Sequence, residues 1–174
     1  MSKGWRTWSG EMAITHEQAA PPSMLASDRT QFAARHSPPP TIAMIAHDRE
    51  KVRLVDFAVC YRDILSRHRL LATATTGRML AEMVGLEVEC VRSVTAGGDR
   101  QVADAVAGGR VACVVFLVDA FSGRPHERRI EPVMKACSLH DIPLATNVAT
   151  ARAVLHAVAV AELRHAAWSN LEQK

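Results

Sequence analysis

Five short runs rich in apolar residues recur from residue 42 onward, and stretches with apolar residues at helical spacing separate them. The runs occupy residues 42–46, 70–72, 88–91, 111–118 and 142–145. Short apolar runs of this kind are typical of strands that are buried on both faces of a parallel sheet. Strands that alternate with helices predict such a sheet with helices packed on both faces. The chain is therefore predicted to be an α/β protein with an open parallel sheet of about five strands.

The predicted helices fill the gaps between these strands and give a three-layer, Rossmann-like arrangement. They are predicted over residues 54–65, 78–84, 99–107 and 130–137, and from about residue 149 towards the C-terminus. Gly85 is predicted to terminate the second helix in a left-handed conformation. Because residues 111–118 form the most hydrophobic stretch, we predict that this strand lies at the centre of the sheet.

Length and charge limit the domain organisation and the possible partners. The 174 residues suffice for one domain with a sizeable core. We predict a disordered, proline-containing extension over residues 1–40, a domain over residues 41–160 and a C-terminal helix or tail over residues 161–174. A net charge of +3 without a dense basic run argues against nucleic acid, and no apolar stretch is long enough to predict a membrane span.

The four cysteines are far apart in the sequence, at positions 60, 90, 113 and 137. This spacing matches neither a metal site nor a redox motif. We interpret them as buried thiols of a protein in the reducing cytoplasm, with no metal bound.

Polar residues follow all five predicted strands, at the edge where parallel sheets bind ligands. In chain order they are His47, Asp48 and Lys51; Thr73, Thr75 and Thr76; Ser93 and Asp99; Asp119 and His126; and Thr146 and Asn147. Hydroxyl groups at the start of a helix are suited to binding a phosphate, because the free N–H groups and the helix dipole point there.

Each of these residues taken singly has a structural alternative. Asp48 and Asp99 suit helix N-caps, Thr75 or Thr76 could serve as another, and His126 suits a solvated loop. Asp119 is harder to explain structurally, because a carboxylate that ends so apolar a strand needs partners when it is buried. The agreement of five strand ends favours a site over five separate coincidences.

Several segments together resemble the methylglyoxal synthase family. They are residues 45–51, 72–77, 97–101, 116–119, 125–126 and 142–151. The resemblance extends over roughly residues 41–155 and includes motifs from all five strand ends. It implies loss of phosphate from dihydroxyacetone phosphate to give methylglyoxal, without a metal or organic cofactor. It also implies inorganic phosphate as product and inhibitor, and a homohexamer.

The resemblance also implies roles for individual residues. Asp99 matches the catalytic base, and His126 matches the group that polarises the substrate oxygens. Asp48 and Asp119 would shape and orient the site. The remaining matches bind substrate or phosphate: His47, Lys51, Thr73, Ala74, Thr75, Thr76, Ser93 and Val94.

Three positions depart from the family pattern. Ala74 and Val94 stand where the family has glycine, and Arg129 stands where it has a functionally important aspartate. The family also uses an arginine from a neighbouring subunit, for which Arg164 is the candidate here. These departures leave a second hypothesis open, in which the chain is a non-catalytic domain of the same fold that binds a phosphorylated metabolite.

Overall fold

The computed structural model describes residues 41–121 and 130–172, with side chains as far as residue 163. Five strands and six helices appear in these ranges, together with two short 3-10 turns over Asp48–Glu50 and Val94–Ala96. The elements run β1 (Thr41–Ala46), α1 (Lys51–Cys60), α2 (Arg62–Leu65), β2 (Arg69–Thr73), α3 (Ala74–Val84), β3 (Val88–Val91), α4 (Gly98–Ala107), β4 (Val111–Leu117), α5 (Glu131–Leu139), β5 (Leu144–Ala145) and α6 (Val148–Glu172).

The five strands form one parallel sheet in the order β3-β2-β1-β4-β5. This confirms the predicted α/β class and open parallel sheet. The prediction that β4 is the central strand was wrong, because β1 is central and β4 lies beside it. Both strands are almost entirely buried. The apolar content of a strand indicates how buried it is, and β1 and β4 are buried to the same degree. Apolar content therefore could not predict which of the two strands is central.

Side chains that alternate along the strands divide the core into two layers. Ile42 and Met44 of β1 pack on one face with α1, α2, α3 and α6, whereas Ala43 and Ile45 pack on the other with α4 and α5. The period of two arises because successive strand side chains point to opposite faces. Helices therefore cover both faces of the sheet, which confirms the three-layer prediction.

Helix boundaries differ from prediction at two places, and the second of them involves site residues. The predicted helix over residues 54–65 is interrupted at Tyr61, where φ is −114° and ψ is 19°. Helix α3 begins at Ala74 rather than at residue 78, so the threonines lie in its first turn and not in a preceding loop. Gly77 is consequently helical, and its lack of a side chain serves packing, because a Cβ there would lie 2.5 Å from Cys90 Sγ. The predicted end of this helix is confirmed, since Gly85 has φ of +71°.

The cysteine prediction was half wrong. Cys113 and Cys137 are buried, but Cys60 and Cys90 are exposed, because the first lies on the outer side of α1 and the second on edge strand β3. The apolar residues next to these cysteines in the sequence could not predict their exposure. A strand at the edge of a sheet, for example, has no neighbouring strand on one side to cover its residues.

We expect two of the four thiols to react rapidly with a maleimide in the native protein, and all four after unfolding. Burial and the nearby Cys137 raise the pKa of the Cys113 thiol to about 12, and burial raises that of Cys137 to about 11. A raised pKa removes the reactive thiolate at neutral pH. Mass spectrometry of the labelled peptides identifies the sites, and rapid native labelling at Cys113 would contradict the buried core.

Several predictions lie outside the described residues. These are the extension over residues 1–40, His126, Arg129 and the side chain of Arg164. Within the described ranges, none of the helices combines the length and the apolar composition needed to cross a membrane.

Candidate active site

His47 lies directly after β1 and is held against the end of β4. Its main-chain N–H donates to the Leu117 carbonyl oxygen at 3.0 Å, which continues the pairing of the two strands beyond β1. Its ring Nδ1 accepts a hydrogen bond from the Asp119 main-chain N–H at 3.0 Å. The ring also meets Phe116 edge-on, with centroids 5.3 Å apart. His47 is 8% exposed, and among the described residues Nε2 has no hydrogen-bond partner.

The Asp119 side chain is 8% exposed and turns into its own loop. Oδ1 accepts a hydrogen bond from the Phe121 main-chain N–H at 2.9 Å, and Oδ2 lies 3.9 Å from Arg49 Nε. These contacts supply partners of the kind that the sequence argument required for this carboxylate. Arg49 could not be predicted as a partner from the sequence, because no local pattern pairs an exposed arginine with a residue 70 positions away.

Lys51 begins α1, and Asp48 lies one turn before it. Lys51 Nζ is 2.7 Å from Asp48 Oδ1, and the lysine side chain is 17% exposed whereas that of the aspartate is 59% exposed. The ion pair therefore holds a mostly covered ammonium group at the end of β1. The structure brings these two predicted residues together, and the role of Asp48 in orienting the site stays a prediction.

The threonine cradle, defined here as residues 73–76, joins β2 to α3. Thr73 occupies the N-cap position, but its hydroxyl donates to Thr76 Oγ1 at 3.3 Å and does not cap the helix. The alternative in which Thr75 or Thr76 is the cap is wrong, because the helix starts before both. Ala74 requires no unusual backbone, since Asp141 is the only non-glycine residue with positive φ in the described ranges. An eleven-residue helix thus begins here without a side-chain cap, which leaves its first N–H groups available to an anion.

The segment after β3 turns sharply before α4. Ser93 Oγ lies 3.0 Å from Thr95 Oγ1, and Val94 is the first residue of the 3-10 turn that follows Ser93. Gly97 has φ of +88°, a conformation that favours glycine. A Cβ on Gly98 would overlap the Arg92 carbonyl oxygen, so this turn is closed by direct backbone contact.

Asp99 lies in the first turn of α4 and is 4% exposed. Its Oδ1 is buried and has no hydrogen-bond partner among the described residues. It is not the N-cap that the structural alternative suggested, because Gly97 occupies that position. A buried carboxylate oxygen without a partner is costly unless a ligand or another group satisfies it.

These residues share one edge of the sheet, because the strands are parallel and each residue follows a strand end. The structure directly joins His47 to Asp119, Asp48 to Lys51, and Thr73 to Thr76. Val118 N–H donates to the Thr146 carbonyl oxygen at 3.1 Å, which adds the β5 end to the same edge. In the described part of the chain, no three histidine, cysteine, aspartate or glutamate residues are grouped as metal ligands.

Comparison with known proteins gives consistent matches. Residues 53–146 match the family model of the MGS-like domain. A methylglyoxal synthase of Caldicellulosiruptor saccharolyticus is 44% identical over 117 residues, which are 67% of this chain and 83% of that protein. A methylglyoxal synthase of Burkholderia cenocepacia is 49% identical over 116 residues, which are 67% of this chain and 89% of the relative.

A solved structure is similar as well. The crystal structure of methylglyoxal synthase from Elizabethkingia anophelis superposes with a TM-score of 0.65 at 34% identity, covering 67% of this chain and 77% of that one. The fold, the strand-end residues and the sequence similarity therefore all relate this chain to methylglyoxal synthases.

Proposed function

The chain belongs to the methylglyoxal synthase family, and from that premise we propose that it is a phosphate-eliminating lyase. Its substrate is dihydroxyacetone phosphate, and its products are methylglyoxal and inorganic phosphate. The two products together contain all the atoms of the substrate, so neither water nor a redox partner enters the balance. The reaction needs a base, a group that stabilises an enediolate and groups that bind the phosphate. Each requirement has a candidate residue among those that follow the strand ends.

The observation that carries the proposal is the buried Oδ1 of Asp99, which has no hydrogen-bond partner among the described residues. A general base must have a free lone pair within reach of the proton that it removes. Asp99 takes the proton from the hydroxymethyl carbon next to the substrate carbonyl, which leaves an enediolate. The enediolate electrons then expel the phosphate as its C–O bond breaks, and the enol product rearranges to methylglyoxal.

The phosphate is held by the threonine cradle and Lys51. Free N–H groups at the start of α3, including that of Ala74, and the hydroxyls of Thr73, Thr75 and Thr76 donate to its oxygens. Lys51 supplies a positive charge at the end of the neighbouring strand, where Asp48 orients it. Ser93 and Val94, which follow β3, also bind the phosphate. Fixed donors of this kind stabilise phosphate charge as it develops on the leaving group.

The enediolate oxygens require neutral donors, and imidazole rings serve this purpose in proton-abstraction sites. We assign the role to His126 by resemblance, with His47 as a second ring at the β1 end. The site contains both positive and negative side chains, and the two have different roles. Lys51 binds the leaving phosphate, whereas the aspartates transfer the proton and orient the other groups.

The test is to incubate the purified protein with dihydroxyacetone phosphate and to follow methylglyoxal and phosphate together. Release of the two in equal amounts is expected. If neither is released while inorganic phosphate still raises the melting temperature, the alternative holds, and the chain is a non-catalytic domain that binds a phosphorylated metabolite. Phosphate release without methylglyoxal would indicate a phosphatase and would also reject the proposal.

Assembly and location extend the same proposal. We infer a homohexamer and a cytoplasmic location from the family resemblance, with inorganic phosphate acting as a product inhibitor. Sedimentation of the purified protein measures the subunit number directly.

A further inference from the structure

The two nitrogens of the His47 ring have different surroundings. Nδ1 accepts the main-chain N–H of Asp119 at 3.0 Å. Nε2 is buried, and no group in the described residues pairs with it. A main-chain N–H can only donate, so the nitrogen that it meets must carry a lone pair. The geometry therefore excludes a proton on Nδ1, and with it the doubly protonated ring.

We propose that Asp119 is a positioning residue that holds His47 as the neutral tautomer with its proton on Nε2. In a neutral imidazole one nitrogen donates and the other accepts, so a lone pair at Nδ1 leaves the N–H at Nε2. This N–H is then a buried donor that has no acceptor among the described residues. The hydrogen-bond partner of one ring nitrogen selects the tautomer, as it does for histidines that bind a metal through their other nitrogen.

The position of the Asp119 N–H depends on how its own side chain is held. Phe121 N–H donates to Oδ1 at 2.9 Å, which closes a short turn, and Arg49 approaches Oδ2 at 3.9 Å. Arg49 is 78% exposed, so its contribution to this arrangement is small. The bond to Phe121 is the main constraint. The carboxylate of Asp119 thus holds its own loop in place through the bond to Phe121, and the main-chain N–H of Asp119 forms the hydrogen bond to the His47 ring.

The acceptor for the Nε2 proton is a ligand oxygen at the strand-end edge. This step rests on the proposed function, in which the ligand is a phosphorylated ketose with phosphoryl and enediolate oxygens. A neutral N–H stabilises charge on such an oxygen and gives up no proton to it, whereas a charged ring could protonate the intermediate and divert it. Inorganic phosphate offers the same kind of oxygen and serves as the probe.

The tautomer is measurable in the whole protein by long-range proton–nitrogen correlation after labelling with ¹⁵N-histidine. His47 is expected to show one fixed pattern, with Nε2 protonated and Nδ1 bare, at neutral pH. The exposed His140 provides an internal reference for a ring that exchanges between forms. Addition of inorganic phosphate is expected to shift Nε2 of His47. A proton on Nδ1, an averaged pattern like that of His140, or no response of Nε2 to phosphate would overturn the inference.

Paired variants test the two nitrogens and the positioning role separately. His47→Gln places an amide near the Nε2 position and is expected to retain most phosphate affinity. His47→Asn keeps an acceptor near the Nδ1 position but loses the donor, and a loss of about tenfold to a hundredfold is expected, as for a hydrogen bond to a charged group. Equal losses in the two variants would overturn the assignment.

The Asp119 variants complete the set. Asp119→Asn keeps the acceptor for Phe121 N–H and is expected to keep the fixed pattern, whereas Asp119→Ala is expected to let His47 average. A fixed pattern in Asp119→Ala would remove the positioning role. The tautomer is read without substrate, so a fixed pattern in a protein that does not release methylglyoxal would reject the proposed function alone.

Discussion

Replacement of Asp99 with asparagine is expected to lower turnover of dihydroxyacetone phosphate by about 10³-fold or more, the scale of a lost general base. Asparagine has nearly the same shape, but its amide cannot accept the substrate proton. Asp99 is 4% exposed, and its Oδ1 makes no hydrogen bond to a described residue, so the substitution breaks no hydrogen bond that the structure shows for that atom. The melting temperature and the affinity for inorganic phosphate should therefore change little.

The same helix offers a matched control. Asp104 is an exposed aspartate on α4, and Asp104→Asn removes the same charge at a position that faces solvent. Turnover within about twofold of the parent is expected, as for surface substitutions in general. If Asp99→Asn retains turnover within tenfold, Asp99 is not the base. If it loses phosphate affinity as well as turnover, the residue has a structural or binding role instead.

Gly98→Ala is expected to be the most damaging substitution of a glycine near the site. A Cβ at this position would overlap the Arg92 carbonyl oxygen and approach Ser93 O at 3.0 Å, and both are backbone atoms that cannot rotate away. Overpacking costs of about 3 kcal/mol are expected, which lowers the melting temperature by roughly 6–12 °C in a domain of this size. Because Asp99 follows directly, the same displacement should also lower kcat.

Gly97→Ala separates this steric effect from a conformational one. No atom lies within 4 Å of the added Cβ, but the residue has φ of +88°, so the cost is one of backbone strain, about 1 kcal/mol. Differential scanning calorimetry measures both variants. A Gly98→Ala protein as stable as Gly97→Ala would show that the turn relaxes easily and that the close approach to Arg92 does not matter.

The strand-end site could be predicted because topology imposes it. Once the apolar runs were recognised as parallel strands, Lys51, Thr73, Asp99 and Asp119 had to lie at one edge, whichever order the strands adopted. The order itself was not predictable, because β1 and β4 are equally buried and apolar. The family resemblance was confirmed by the comparisons, and it supplied the residue roles that pattern alone could not.

Local sequence was a weaker guide to helix boundaries and side-chain partners. The start of α3 was predicted four residues too late, because threonines and glycine have low helix propensity and suggest a turn, whereas the helix of the folded chain includes them. The pairing of His47 with Asp119 spans 72 positions, and no local pattern encodes it.

The pattern of apolar and polar residues along the chain predicted the fold class, the helices on both faces of the sheet and the edge at which the strand-end residues lie, because that pattern indicates the strands, the helices and the residues that follow each strand. The folded structure was needed to show which strand is central, which thiols are covered, and that Asp99 is buried with no described hydrogen-bond partner for its Oδ1. It also decided which nitrogen of His47 faces Asp119. These features arise where residues distant in sequence meet, and burial and hydrogen bonding there depend on the packing of the whole domain.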